Sequence, residues 1–108
     1  MCGISGIINF NKKPETDVVN RMNNSIKYRG PDHQALWNNQ FISIGVVRLK
    51  IIDLSDKSNQ PFVDKENGIT VIYNGEIYNY KEIKRDYLSE ENFFSDGDGE
   101  IILKLYRK

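Results

Sequence analysis

The chain has 108 residues, 39% hydrophobic and 11% aromatic, so it is large and apolar enough for one small domain and is not a disordered tail. Fifteen basic residues balance 15 acidic ones, and this zero net charge argues against nucleic acid or an anionic membrane surface as the partner. No run approaches the roughly 20 apolar residues of a membrane span and the N-terminus lacks a signal-peptide pattern, so we expect a cytoplasmic protein.

The first half of the chain predicts two kinds of element in alternation. Residues 2–10 read as an apolar strand, and a helix is expected from Thr16 or Asp17, either of which can cap it. The helix should stop before Gly30-Pro31, because proline disfavours a helical residue before it. Further strands are expected at residues 35–37 and 41–49, the second with period-2 alternation, and Ile51-Ile52 should continue it.

The second half predicts one strand and two helices. Residues 69–73 are almost continuously apolar, as in a strand covered on both faces. Helices are expected at residues 80–88 and from residue 98, where Asp98 can cap the last one, and Phe93-Phe94 suggest a short strand. The pattern predicts an α+β fold with a layered sheet and a single domain over residues 1–108. The chain stops inside the last helix without a cap signal, so we expect a truncated protein.

Cys2 is the only cysteine, and it follows the initiator methionine directly. A single thiol excludes an internal disulfide and points to a reducing compartment. If Met1 is removed, the thiol is a nucleophile beside a free α-amine that can act as a base near neutral pH, with a water as a possible bridge. The structural alternative is a small hydrophobic residue in the first strand.

The segment Asn74-Gly75-Glu76-Ile77-Tyr78-Asn79 directly follows the predicted apolar strand. An asparagine amide and a glycine N–H delivered by a rigid strand can form an oxyanion hole, in which one donor contributes roughly 10²–10³-fold to the rate. The alternative is a hairpin turn, for which Asn-Gly is the strongest short signal.

Three further features carry charge near predicted element ends. Arg29-Gly30-Pro31-Asp32 reads most simply as a turn with a charged pair. Arg48 ends an apolar strand, where its guanidinium suits a bidentate carboxylate, although a solvated strand end explains it equally well. Asp98 most simply caps its helix, and its carboxylate could also hold a ligand ammonium.

Taken in order, these motifs resemble the glutaminase domain of asparagine synthetases, a class II glutamine amidotransferase with the N-terminal-nucleophile fold. The resemblance runs over essentially the whole chain and implies an αββα sandwich of which only the N-terminal part is present. Cys2 would then attack the side-chain amide of glutamine, and a thioester would form and be hydrolysed to release ammonia. The motifs that carry it are Met1-Cys2-Gly3-Ile4, Arg29 to Asp32, Arg48-Leu49 with Ile51-Ile52-Asp53, Asn74 to Asn79, and Asp98 with Glu100 to Leu103.

The resemblance also implies a role for each matching position. Asn74 and Gly75 would form the oxyanion hole, and Arg48 would bind the α-carboxylate of glutamine. Glu76 and Asp98 would hold its α-amine. The backbone of Leu49, Ile51 and Ile52 would line the pocket, and Arg29, Gly30, Pro31 and Asp32 would support it from nearby. No metal or cofactor is expected for this half.

The chain also departs from the family pattern. Gly97 stands where the family usually has serine, and Val46-Val47 stand where many members have a histidine or a charged residue. The family's glutaminase domain is far longer, so a single layer of the sandwich would leave its apolar face exposed. The synthetase domain, which would use ATP and Mg²⁺, is missing from this sequence.

The resemblance implies glutamine as substrate, the synthetase domain of the same parent chain as partner, and a homodimer. The expected function is to supply ammonia for ATP-dependent amidation of aspartate. Two alternatives stay open at this point. The parent protein could amidate another carboxylate, for example in cell-surface glycan assembly, or the domain could be a non-catalytic interaction module that keeps Met1.

Overall fold

A three-stranded antiparallel sheet dominates the N-terminal half of the computed structural model, which describes residues 1–108. Strand β3 (Ile42–Arg48) lies between β1 (Gly3–Ile8) and β2 (His33–Asn38). Apolar residues alternate along β3, so Ile42, Ile44 and Val46 share one face of the sheet, where Ile4 and Ile8 of β1 pair with two of them. The predicted strands are confirmed, although β2 is longer than residues 35–37.

Helix α1 (Thr16–Ser25) packs on one face of the sheet, and the buried side-chain amide of Asn23 anchors it there. The Asn23 amide nitrogen donates to the carbonyl oxygens of Ala35 at 3.1 Å and Val46 at 3.4 Å, and its oxygen accepts from the Ser5 hydroxyl at 2.8 Å. Gly45 lies directly beneath, where an added Cβ would stand 2.5 Å from the Asn23 oxygen. The helix therefore reaches all three strands only because residue 45 has no side chain.

Two local predictions in this half are wrong, the N-cap of α1 and the continuation of β3, whereas the helix stops before Gly30-Pro31 as predicted. The N-cap of α1 is Glu15 and no side chain caps it, so neither Thr16 nor Asp17 does so. The helix ends at Ser25, and a short 3₁₀ turn, Lys27–Arg29, leads to Gly30. Ile51 and Ile52 are exposed in a bend and do not continue β3.

The C-terminal half contains a hairpin and two helices. Strands β4 (Phe62–Asp64) and β5 (Ile69–Val71) form a two-stranded antiparallel sheet, with Gly68 at φ +67° in the connection. Helix α3 (Glu100–Arg107) packs on this hairpin and contacts α2 (Tyr80–Tyr87). The α+β prediction is confirmed, and none of the three helices has the length and apolar character needed to cross a membrane.

Strand predictions in the C-terminal half were less accurate. The hairpin strand β4 was not predicted. Strand β5 ends at Val71, before the predicted residue 73. Its residues are half-buried and not covered on both faces as predicted, because β5 pairs only with β4. Phe93 and Phe94 form no strand. The Phe94 ring packs instead against Phe62, with ring centroids 6.1 Å apart.

The sheet face opposite α1 is partly uncovered, as expected for a single layer of a sandwich. The side chains of Ile4 and Ile8 on β1 are 48% and 63% exposed. The register pairs them with Val46, which is fully buried, and with Ile42, which is half-buried. This face is therefore covered toward the end of β3 that carries Arg48 and open toward the other end.

Candidate active site

A cavity of about 350 Å³ lies where four segments of the chain meet. These are the N-terminus, the segment after β3, the segment after β5 and the loop before α3. Nine predicted site residues line it: Cys2, Arg48, Leu49, Ile51, Ile52, Asn74, Gly75, Glu76 and Asp98. The remaining predicted residues, Arg29 to Asp32, lie outside the lining.

Cys2 is half-buried in the cavity wall, and backbone groups of Leu49 flank its thiol. The Leu49 N–H donates to Sγ at 3.4 Å, and Sγ lies 3.8 Å from the Leu49 carbonyl oxygen. The thiol therefore lies between the N–H and the carbonyl oxygen of one residue, and these two contacts fix its position in the wall. Met1 lies on the same wall and is largely exposed.

The Arg29-Gly30-Pro31-Asp32 segment holds the end of β3 from behind the cavity. Arg29 Nε donates to the Cys2 carbonyl oxygen at 3.1 Å, and Asp32 accepts from the Lys50 N–H at 2.8 Å. Gly30 packs so closely that an added Cβ would stand 2.4 Å from the Arg48 nitrogen. The segment touches both the nucleophile and the Arg48 strand end without entering the cavity.

Arg48 is only 5% exposed, so the solvated strand end is wrong. Its Nη1 donates to the Ser55 carbonyl oxygen at 3.0 Å and to Asn59 Oδ1 at 2.7 Å, and its Nη2 donates to the Asp53 carbonyl oxygen. A guanidinium has five N–H donors, so the Nε–H and one Nη2–H remain. Two free donors on a fixed guanidinium suit one carboxylate.

Asp98 does not cap α3, contrary to the sequence prediction. The N-cap is Gly99, and the Asp98 carboxylate accepts from the Ile77 N–H at 2.7 Å. This bond joins the loop before α3 to the segment that carries Asn74, Gly75 and Glu76, which are exposed at the cavity mouth. The hairpin alternative is also wrong, because this segment connects β5 to α2.

Tyr73 is a cavity residue that the sequence did not single out. Its ring covers Gly75, where an added Cβ would stand 2.8 Å from the ring. The Gln60 amide holds its backbone, donating to the Tyr73 carbonyl oxygen at 2.9 Å and accepting from the Tyr73 N–H. Burial, followed by the negative charges of Asp98 and Glu76, raises the pKa of Tyr73 to about 12, so its hydroxyl stays a donor at neutral pH.

Asp53 is the second residue that sequence reasoning missed as part of the site. Hydrogen bonds, first from the Ser58 hydroxyl and then from Ser55, hold the pKa of the Asp53 carboxyl well below its usual range. The spacing Asp53-Leu54-Ser55 is an Asx-turn signal that could have indicated a local bond. The bond at 2.8 Å from the Ser55 N–H to the Asp53 carboxylate is of that kind.

The family model for the glutamine amidotransferase domain matches residues 1–108, the whole of this chain. The chain belongs to the glutamine amidotransferase domain family. The amidotransferase is similar to a putative glutamine-hydrolysing asparagine synthetase 2 of Methanocaldococcus jannaschii, with 42% identity covering 100% of this chain and 24% of the relative. It is 37% identical to glutamine-hydrolysing asparagine synthetase 2 of Bacillus subtilis, over 100% of this chain and 15% of the relative.

A third relative carries a different name. The fungal amidase chry2 of Gibberella zeae is 36% identical over 99% of this chain and 18% of the relative. The amidotransferase chain thus spans a quarter or less of the length of these relatives. The family confirms the predicted enzyme class, and the α+β architecture is consistent with an N-terminal-nucleophile domain.

Proposed function

We propose that this amidotransferase domain is the glutaminase part of a glutamine-dependent asparagine synthetase. The observation that carries the proposal is a single cavity lined by one thiol, one fixed guanidinium, an Asn-Gly pair and three carboxylates, those of Asp53, Glu76 and Asp98. The cavity volume of about 350 Å³ lies at the lower end of the range for small-molecule sites, which suits a free amino acid. Asparagine-synthetase relatives over the whole chain support the same assignment.

The reaction starts with removal of Met1, which frees the α-amine of Cys2. The amine, directly or through a water, takes the thiol proton, and the sulfur attacks the side-chain amide carbon of glutamine. The tetrahedral oxyanion is held by the Asn74 side-chain amide and the Gly75 N–H. Its collapse breaks the C–N bond, the amine returns the proton, ammonia leaves, and a thioester remains. Water then cleaves the C–S bond to give glutamate and the free thiol.

The charged ends of glutamine are bound by different walls. The two unused N–H donors of Arg48 take the α-carboxylate, while Glu76 and Asp98 take the α-ammonium. Backbone groups of Leu49, Ile51 and Ile52 line the floor between them. This orientation directs the amide of the side chain to Cys2.

The ammonia is passed to the synthetase domain of the same parent chain, in which ATP and Mg²⁺ activate aspartate. The glutaminase steps as proposed use only side-chain and backbone groups of residues 1–108 and route no step through a metal or cofactor. A cytoplasmic homodimer is the proposed setting of the parent protein. The domain range 1–108 is the N-terminal portion of the amidotransferase domain.

Intact-mass analysis after incubation with a diazo-ketone analogue of glutamine tests the proposal. A mass without Met1 plus one adduct mapped to Cys2 is expected, because the analogue needs both the nucleophile and the glutamine pocket. Glutamine in excess should slow the labelling, and Cys2→Ala should abolish it. Met1 retained, or a processed Cys2 that stays unlabelled, contradicts the proposal and favours a non-catalytic module.

A different acceptor carboxylate is the second candidate, and the amidase name of the Gibberella zeae relative favours keeping it. Such a parent would use the same cavity and the same thioester. The parent protein, supplied with glutamine and ATP, should form asparagine from aspartate under the first proposal. Glutamate release without asparagine would assign the ammonia to another acceptor, such as a carboxylate in glycan assembly.

A further inference from the structure

One carboxylate joins the two loops that border the cavity. Asp53 is 8% exposed, and its two oxygens accept from the Ser55 N–H at 2.8 Å, the Ser58 hydroxyl at 2.6 Å and the Asp96 N–H at 3.1 Å. The first two bonds lie within the loop that follows β3. The third crosses to the loop before α3, two residues from Asp98. Asp53 thereby ties the Asp98 loop to the Arg48 side of the cavity.

Gly97 and Ser58 share one small space beside this carboxylate. A Cβ added to Gly97 would stand 2.6 Å from Ser58 Oγ and 3.6 Å from the Asp53 Cβ. Both residues are buried. The hydroxymethyl group of Ser58 therefore fills the volume that a side chain at position 97 would need, and it also supplies the hydroxyl that Asp53 binds.

We propose that Ser58 and Gly97 are a reciprocal pair that positions Asp98, and with it the ammonium end of glutamine, through Asp53. The inference rests on the proposed glutaminase function. Ser58 lines the cavity, but its hydroxyl is donated to Asp53, so its effect on Asp98 runs through Asp53 and the loop and it is a positioning residue. Because a serine at 97 would carry its hydroxyl close to Asp53, the pair should work with the serine on either side and fail with two serines or with none.

The four members of this cycle are the wild type, Ser58→Gly, Gly97→Ser and the exchanged double variant. In Gly97→Ser the new Cβ would stand 2.6 Å from Ser58 Oγ, so either the Ser58 hydroxyl leaves Asp53 or the Asp96–Asp98 loop moves. In Ser58→Gly the Asp53 carboxylate loses a charge-assisted hydrogen bond and the loop loses its packing. Ser89→Gly is a matched control, since Ser89 is exposed and forms no side-chain hydrogen bond.

The experiment measures the rate of Cys2 labelling by the diazo-ketone analogue over a range of analogue concentrations, using the 108-residue chain. Each single variant should raise the half-saturating concentration roughly tenfold, as expected for a lost hydrogen bond to a charged group, and leave the maximal rate within about twofold. The half-saturating concentration of the double variant should return to within about threefold of the wild-type value. Ser89→Gly should have the wild-type value. Thermal unfolding midpoints of the same proteins are recorded in parallel.

Two outcomes would contradict the proposal that Ser58 and Gly97 position Asp98 together. The double variant could be no better than the weaker single variant, or the single variants could lower the unfolding midpoint without changing half-saturation. If Gly97→Ser does not fold, two other variants test the pair. The proposal then requires wild-type-like labelling in the double variant and a raised half-saturating concentration in Ser58→Ala, and the absence of either contradicts it. A wild type that is never labelled contradicts the proposed function instead, and the pair is then judged by whether the exchange restores the unfolding midpoint.

Discussion

The two halves of the molecule supply hydrogen-bond partners to their buried polar groups in different ways. Under α1, the buried group is the neutral amide of Asn23, which bonds to groups held in place by the sheet. Around the cavity, irregular loops have few backbone bonds of their own and converge on carboxylates, Asp53 for one pair of loops and Glu100 for the residues before α3. The comparison teaches that a neutral amide anchors the helix to the sheet in the scaffold half, while the loops beside the cavity converge on carboxyl groups.

The largest expected effect on stability is in the scaffold half. Asn23→Ala should lower the free energy of unfolding by about 3 kcal/mol, because it opens a cavity and leaves Ser5 and two sheet carbonyls without their partner. Urea unfolding followed by circular dichroism measures this. The neighbouring Asn24→Ala, whose single side-chain bond is exposed, should change stability by less than about 0.5 kcal/mol. Equal effects of both variants would contradict the anchoring role.

In the cavity half, stability should depend on acid through Asp53. Its folded pKa lies below its unfolded value, so its contribution is complete above about pH 4 and is lost as the pH falls toward the folded pKa. Asp53→Asn should cost about 2 kcal/mol at pH 7, with a smaller difference from the wild type at pH 3. Urea unfolding at the two pH values checks the sign. In the control Glu90→Gln, at an exposed position, the free energy of unfolding should change between the two pH values as it does in the wild type. An Asp53→Asn deficit of the same size at pH 7 and pH 3 would contradict the pH dependence assigned to Asp53.

Gly75→Ala should damage the site and spare the scaffold. Its Cβ would meet the Tyr73 ring at 2.8 Å, so the oxyanion donor or the ring must move. Labelling of Cys2 should slow by about 10- to 100-fold, which is less than the roughly 10²–10³-fold of a donor lost outright, because the N–H of residue 75 is displaced and not removed. The free energy of unfolding should change by less than about 1 kcal/mol. Adding Tyr73→Val removes the ring and should recover part of the rate. Labelling of Gly75→Ala at the wild-type rate would remove Gly75 from the oxyanion hole.

The smallest effect concerns an exception within the scaffold half. Ser43 is fully buried on β3 and its hydroxyl has no hydrogen-bond partner. Ser43→Ala should therefore raise the free energy of unfolding by about 0.5–1 kcal/mol, since it removes an uncompensated desolvation cost. Ser5→Ala on the same sheet face should do the opposite, because Ser5 binds Asn23. Differential scanning calorimetry of the two variants would show midpoints shifted in opposite directions.

The same contrast explains what the sequence could and could not predict. The sheet strands and α1 follow from residues near one another in the chain, whose periodicity records which face is buried. Hairpin strand β4 was missed because its three residues are too few to show a period. The cap assigned to Asp98 was wrong because its carboxylate finds a partner 21 residues earlier, at Ile77.

The candidate site was predictable as a set of chemical groups and not as a network. Cys2, Arg48 and the Asn74-Gly75 pair carry side chains or backbone groups whose chemistry is visible in the sequence, and the family resemblance added Glu76 and Asp98. The bonds of Asp53 to Ser55 and Ser58 are local, but the bond that ties Asp53 into the site comes from Asp96, 43 residues away. Tyr73 is likewise held by Gln60, 13 residues earlier in the chain. Such contacts exist only after the loops have closed around the cavity.

The bond from Arg29 to the carbonyl oxygen of Cys2 has a practical consequence. The guanidinium donates to the main chain of residue 2, and the Leu49 N–H donates to the γ atom of the Cys2 side chain. The first contact involves only the main chain, and a serine oxygen can accept the second in place of sulfur, so replacing Cys2 by serine should leave the remainder of the pocket undisturbed. Such a protein is a natural trap for intact glutamine, suited to calorimetry or co-crystallisation because the ligand is bound and never consumed.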